Sequence, residues 1–270
     1  MTANERIHIK RFVDDGVALL GTCSAVPGGV TFCFTERTGG VSRPPFASLN
    51  LGTKGGDDPA CVAENRRRVM EALGAPELVD TLVVPNQVHG DEVALITSAG
   101  ERPACLETGA DAVVCTVPNQ AVMLLFADCT PVVLVAPGGF AVAHSGWRGT
   151  LAGIAGKTAR VLAQACGCDI SDVQAFIGPH ISGESYEVSQ ELLDTFVQRF
   201  GDIACWGPRH LDMSACVRAS LEEAGVAPEL VSDTQLCTAK LTDRFFSHRA
   251  ENGKTGRHAA VAFMRAWGRL

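Results

Sequence analysis

The sequence predicts a mixed α/β or α+β fold, with central mixed β-sheets flanked by helices, forming one compact domain over residues 1–270. Three observations lead there. Short apolar strands alternate with capped helices, without repeats, low-complexity tracts or long linkers. At 270 residues and 46% hydrophobic content the chain can bury a large core. Several strand-like runs are continuously apolar, the pattern of strands covered on both faces.

Taken in order, VTFCF (30–34) reads as a strand, followed by the Gly-, Pro- and Ser-containing segment ERTGGVSRPPFASLNLG, an irregular loop of the length that often carries function. A helix is predicted from about Pro59 to Leu73, with Asp58 as N-cap, Pro59 at the first helical position and Gly74 just beyond the end. LVVPNQVHGDEVALI holds two apolar runs broken around Gln87 to Asp91, which puts His89 at a strand end or tight bend. DAVVCTV is a further strand. AVMLLFADCTPVVLVAPGGFAVAH holds three apolar runs, interrupted at Asp128-Cys129-Thr130-Pro131 and at Pro137-Gly138-Gly139, and ends at His144. After SGWRG, a helix over TLAGIAGKTARVLAQA has Thr150 as its expected N-cap and Gly167 as its stop. VQAFIG reads as a strand, and two helices follow, capped by Ser189 and Asp212. At the end RFFSHRA and RHAAVAFMRAW flank ENGKTG and predict a hairpin.

A net charge of -7 and a pI near 5.5 exclude a general attraction to nucleic acid or to an anionic membrane. The start, MTANERIHIKRF, lacks the apolar core of a signal peptide, and no stretch has the roughly 18 unbroken apolar residues of a membrane span. A cytoplasmic location is expected. Eleven cysteines, an odd number in a long chain, argue against a disulfide framework. Cys23, Cys33, Cys61, Cys105, Cys115, Cys205, Cys216 and Cys237 are expected to be small buried hydrophobes, and the CGC pair Cys166 and Cys168 to mark a helix end.

His89, Cys129 and His144 each interrupt or end an apolar strand beside turn-forming residues, where side chains of neighbouring strands converge at a sheet edge. Imidazole and thiolate together suit zinc, and three protein ligands with a fourth position open is the arrangement of a catalytic site. The same pattern also fits a buried thiol with two structural histidines. A second chemical reading is a Cys/His hydrolase, with Cys129 as nucleophile and His144 or His89 as base. Arg148, at the start of a helix just after His144, is the candidate phosphate ligand, with Arg37 of the Gly-rich loop beside it. Either could equally be a surface arginine, with Trp147 packed in the core. Asp111 in GADAVV, the third candidate binding residue, reads either as a turn residue or as the carboxylate that orients a metal-bound histidine. AGKT at 155–158 is no phosphate loop, because Leu151 stands where the first glycine is required. The nucleobase-deaminase signature is absent as well.

TERTGGVS, SLNLG, GDDPACVAENRRR, NQVHGDEV, GADAVV, ADCTPVVL, AVAHSGWRGT, IGPHISGESYEV, CT and FFSHRAENGKTGR occur here in that order. On these segments the chain resembles, over nearly its full length, the YfiH-type proteins. These are also called the laccase-domain or multicopper polyphenol oxidoreductase family and are regarded as purine nucleoside phosphorylases. The resemblance implies that the zinc ligands are His89, Cys129 and His144. It implies phosphorolysis of adenosine, inosine and methylthioadenosine to the free base and a ribose 1-phosphate, with an adenosine deaminase activity. Two departures stand out: His180 replaces the cysteine that usually follows the Pro of IGP, and SHRA replaces the usual SYRR. Zinc is the expected cofactor and copper the second choice, since a copper oxidase needs ligand sets such as HxH and none occurs. The rival functions are a cysteine or zinc hydrolase of another small substrate and a copper-dependent polyphenol oxidase. Expected partners are purine nucleosides and phosphate, in a monomer or small homo-oligomer.

Overall fold

The computed structural model describes residues 7–22 and 29–266, so Cys23 lies outside the described residues. The strands are β1 (Lys10–Asp14), β2 (Val17–Gly21), β3 (Val30–Thr35), β4 (Val93–Ile96), β5 (Ala112–Cys115), β6 (Ala121–Phe126), β7 (Thr130–Ala136), β8 (Gly139–Ser145), β9 (Gln174–Ile177), β10 (Cys205–Gly207), β11 (His210–Leu211), β12 (Val231–Asp233) and β13 (His258–Met264). The helices are α1 (Pro59–Ala72), α2 (Cys105–Thr108), α3 (Trp147–Leu151), α4 (Ile154–Cys166), α5 (Gln190–Phe200) and α6 (Met213–Ala224). One sheet is antiparallel, in the order β1-β2-β3-β13-β6. The other is mixed, in the order β12-β9-β7-β8-β5-β4, with β12 parallel to β9 and β4 parallel to β5.

The continuously apolar strands are explained by four stacked layers. In β7, Val133 and Val135 join a core between the two sheets, which includes Phe32, Phe126, Phe140 and Phe176. Their neighbours Val132, Leu134 and Ala136 face the opposite way, onto α4 and α6 through Ile154, Leu162, Val217 and Leu221. In β13, Ala260 and Ala262 face the inter-sheet core, while Val261 and Phe263 pack under α1 with Val69 and Met70. Both faces of the central strands are dry, so alternation leaves their middles apolar and polar residues stand at the strand ends, as Thr35, Thr130, His144 and His258 do. Each fully buried Val, Leu or Phe contributes roughly 1.5–3 kcal/mol.

The predicted caps of α1, α5 and α6 are observed. Asp58 accepts from Ala60 N at 2.9 Å, Ser189 from Leu192 N at 3.2 Å and Asp212 from Ala215 N at 2.9 Å. Two expectations need correction. Thr150 is not an N-cap: helix α3 already begins at Trp147 with Gly146 as its cap, and the Thr150 hydroxyl donates back to Gly146 O at 2.9 Å. The chain then turns at Gly153, whose φ of 75° suits glycine, and α4 starts at Ile154. The terminal hairpin is absent too. Both edges of β13 are taken, by β3 and β6, so RFFSHRA has no edge to pair with and instead coils through turns such as Glu251 N to Ser247 O. Of the cysteines expected to be buried, Cys61 and Cys105 are half-buried and Cys205 is exposed. No helix among the described residues is long and apolar enough to cross a membrane.

Candidate metal centre

Three segments at the ends of strands meet at one point. The turn between β6 and β7 presents Cys129, β8 carries His144 next to its last residue, and the loop before β4 carries His89. Asp128, ahead of the cysteine, sits at φ 81°. Its carboxylate holds that left-handed turn by accepting from Thr238 Oγ1 at 2.6 Å and from Arg249 N at 2.7 Å. The donor atoms of His89, Cys129 and His144 lie within 4.8 Å of one another, and the two imidazole rings meet at 86° with centroids 4.8 Å apart. A thiolate and two imidazoles at this separation fit a zinc-type ion, with one side open.

Asp111, which is 0% exposed, organises two of the three ligands. Its Oδ1 accepts from His144 Nδ1 at 2.8 Å, which leaves Nε2 as the free ring nitrogen. The same carboxylate accepts from the backbone N–H groups of Val88, His89 and Gly90 at 3.1, 3.0 and 2.7 Å, and so holds the loop that presents His89 at φ 61°. Lys157, from the AGKT segment, secures the loop from outside by donating to Asp91 O at 2.8 Å and Asp91 Oδ2 at 3.0 Å. Burial opposes ionisation of the Cys129 thiol, but the adjacent His144 and His89 outweigh it and bring the thiol below its ordinary range. Burial likewise opposes the His144 imidazolium, and the Cys129 thiolate with Asp111 reverses that, so His144 holds its proton above the ordinary range. Two glycines missed in the sequence make this packing feasible. A Cβ on Gly146 would stand 3.1 Å from the His89 ring and 3.5 Å from Cys129 Sγ; one on Gly149 would stand 2.6 Å from Gly90 O. Gly146→Ala is therefore expected to weaken metal affinity about tenfold or more by tilting His89, while changing the melting temperature little. Zinc titration beside thermal denaturation checks this.

The centre opens into a cavity of about 780 Å³. Trp147, Leu106, Leu125, Tyr186 and Met213 give it apolar and aromatic walls, and Lys54, Arg66, Arg249 and Arg257 give it positive charge. Among the described residues none of these four cations is ion-paired with a carboxylate. Arg257 donates to Thr255 O and Gly256 O, Arg66 to Leu51 O, and Lys54 to Asn86 Oδ1. Burial lowers the pKa of both Arg66 and Arg257, the mark of cations held away from water.

The three binding candidates from the sequence, Arg148, Arg37 and Asp111, lie outside the cavity lining. Arg148 is exposed and stacks 4.2 Å over Trp147, outside the cavity lining. Arg37 is bound to Ala47 O, Thr242 O and Glu251 and packs on Phe246, so its donors are committed to structure. Asp111 orients ligands rather than lining the cavity. His180 is 5% exposed, donates to Gly178 O at 2.8 Å and is likewise outside the lining. The SHRA departure, by contrast, reaches the cavity at His248, beside Arg249, which SHRA and SYRR share.

Comparison with known proteins agrees with this architecture. A purine nucleoside phosphorylase of Xylella fastidiosa is 36% identical over 251 residues, covering 88% of this chain and 94% of that protein. The crystal structure of YlmD from Geobacillus stearothermophilus matches with a TM-score of 0.84 at 30% identity, covering 96% of this chain and 100% of that one. That of the Bacillus licheniformis hypothetical protein YfiH matches with a TM-score of 0.83 at 29% identity, covering 93% and 97%. The family described as multi-copper polyphenol oxidoreductase laccase matches residues 31–265, and the chain belongs to that YfiH-type family.

Proposed function

We propose that the chain is a zinc-dependent purine nucleoside phosphorylase, acting on adenosine, inosine and methylthioadenosine, with an adenosine deaminase activity at the same centre. The observation that carries the reading is the convergence of His89, Cys129 and His144 on a cavity whose partly buried guanidinium groups have no carboxylate partner. Partly buried cations without a carboxylate partner favour an anionic ligand. The name of the Xylella fastidiosa relative supports phosphorolysis. Zinc at the three ligands would supply Lewis-acid polarisation of an oxygen.

The protein's own groups divide the remaining work. Arg66 and Arg257 hold inorganic phosphate, with Lys54 near the mouth. Trp147, Met213, Leu106 and Leu125 cover the purine. Burial pushes the Tyr186 hydroxyl up to about 12, so it stays protonated and donates a hydrogen bond to substrate. In phosphorolysis the C1′–N9 bond breaks, a phosphate oxygen bonds to C1′, and the base leaves with a proton. Phosphate-dependent release of ribose 1-phosphate from inosine tests the reading. Arg257→Met is expected to raise the phosphate KM about tenfold or more, whereas Arg148→Ala leaves it unchanged. The opposite pattern returns the phosphate to the helix start.

One geometric feature favours a second reading. Cys129, His144 and Asp111 form a thiol–imidazole–carboxylate series, the order of a cysteine hydrolase. That enzyme would cleave without phosphate and keep its activity after chelation. A copper polyphenol oxidase is the weaker alternative, because among the described residues only one three-donor cluster is present.

A further inference from the structure

The cavity holds more positive charge than one phosphate requires. A phosphate group carries roughly -1.5 to -2 near pH 7, enough to match two of the four cations. Among the described residues the one carboxylate on the wall, Asp128, is engaged by Thr238 and by the amide of Arg249. The basic side chains are also placed differently, with Lys54 exposed near the mouth. Arg66 and Arg257 are partly buried and grip the same short segment: Arg66 donates to Leu51 O at 3.1 and 2.8 Å, and Leu51 N donates to Arg257 O at 3.0 Å. Arg249 and His248 are exposed at the mouth, on the segment that failed to form a hairpin. Arg249 donates through Nη1 to Glu187 O at 2.9 Å and lies 5.3 Å from the Tyr186 ring centroid, which fixes its orientation and leaves its other nitrogens to a ligand. The 780 Å³ volume lies in the upper part of the roughly 300–1,000 Å³ range of small-molecule sites.

We infer that the site binds a second anionic group together with the purine nucleoside: purine nucleoside 5′-monophosphates are ligands, their ester phosphate held at the mouth by Arg249 and His248. This rests on the purine nucleoside reading. With C1′ facing the phosphate held by Arg66 and Arg257, the 5′ carbon lies across the ribose ring and is the ester position that can point outward. A guanidinium bidentate to a phosphate, beside an imidazole, gives both charge and geometry for that group.

The test is calorimetric titration of the metal-loaded protein with inosine and with inosine 5′-monophosphate, repeated for Arg249→Met and His248→Gln. The wild type is expected to bind the monophosphate at least about tenfold more tightly than inosine, an advantage that shrinks as salt rises. Arg249→Met should reduce the ratio to within about threefold, and His248→Gln should reduce it in the same direction. Equal affinity for the two ligands in the wild type overturns the inference and leaves the nucleoside reading standing; so does a ratio unchanged in Arg249→Met. Failure of both ligands to bind overturns both.

Discussion

Cys129→Ala is expected to remove the bound metal and lower phosphorolysis by about a thousandfold while the fold survives. The magnitude follows from the proposed metal centre, which would contribute several kcal/mol to the transition state, each ~1.4 kcal/mol being a factor of ten. The fold should survive because Cys129 lies at the rim of the inter-sheet core, only packed against it, whereas Phe126, Val133 and Val142 fill its interior. Removing the thiolate leaves two imidazoles, one of them exposed, too few donors to retain the ion against a chelator. Metal content, inosine turnover with phosphate and far-ultraviolet circular dichroism together check this. An unfolded variant would refute the claim that the residue is functional, and a variant with full activity would refute the centre.

Asp111→Ala should have the largest combined effect on stability and metal affinity, although the carboxylate touches no substrate. One side chain accepts from the amides of Val88, His89 and Gly90 and from His144 Nδ1. Its loss leaves three backbone donors to water in a partly buried loop, and unmade hydrogen bonds of this kind cost about 1–3 kcal/mol each where burial is complete. A destabilisation of roughly 3 kcal/mol is expected, with metal affinity lowered about 10–100-fold because His144 loses its tautomer and orientation. Asp111→Asn separates the two effects. Its single remaining oxygen can still accept from part of the loop, but an amide NH2 in place of Oδ1 can accept from neither His89 N nor His144 Nδ1. Stability should fall less than in the alanine variant, with metal affinity falling nearly as far. Equal metal affinity in all three proteins would show that the carboxylate serves only the loop.

How much of this was readable from the residues depends on the range of the signal. Local signals were legible: the caps at Asp58, Ser189 and Asp212 act within one helical turn, and continuous apolar runs reported strands dry on both faces. The three site residues could be singled out because each interrupts such a run. The β1–β2 hairpin was missed although its signal is present, an Asp15-Gly16 turn with both φ positive, at 43° and 81°. The cations of the cavity wall are not legible in the sequence for a different reason. Arg66, Arg249 and Arg257 come from a helix, a coil and a strand end, and no spacing rule gathers them. Within ENRRR, Arg67 and Arg68 pair with Glu64 while Arg66 turns to Leu51, a division set by helical rotation against a loop whose position only tertiary packing determines. Arg148 follows His144 closely in sequence, but as the second residue of the five-residue α3, stacked on Trp147, it is exposed and outside the cavity lining.

Elemental analysis of the purified protein, with inosine phosphorolysis assayed before and after exhaustive chelation and again after zinc is restored, tests the central claim most directly. The expected result is about one zinc per chain, phosphate-dependent activity lost on chelation, and recovery on adding zinc. Full activity in the metal-free protein, or cleavage of inosine indifferent to phosphate, would contradict it.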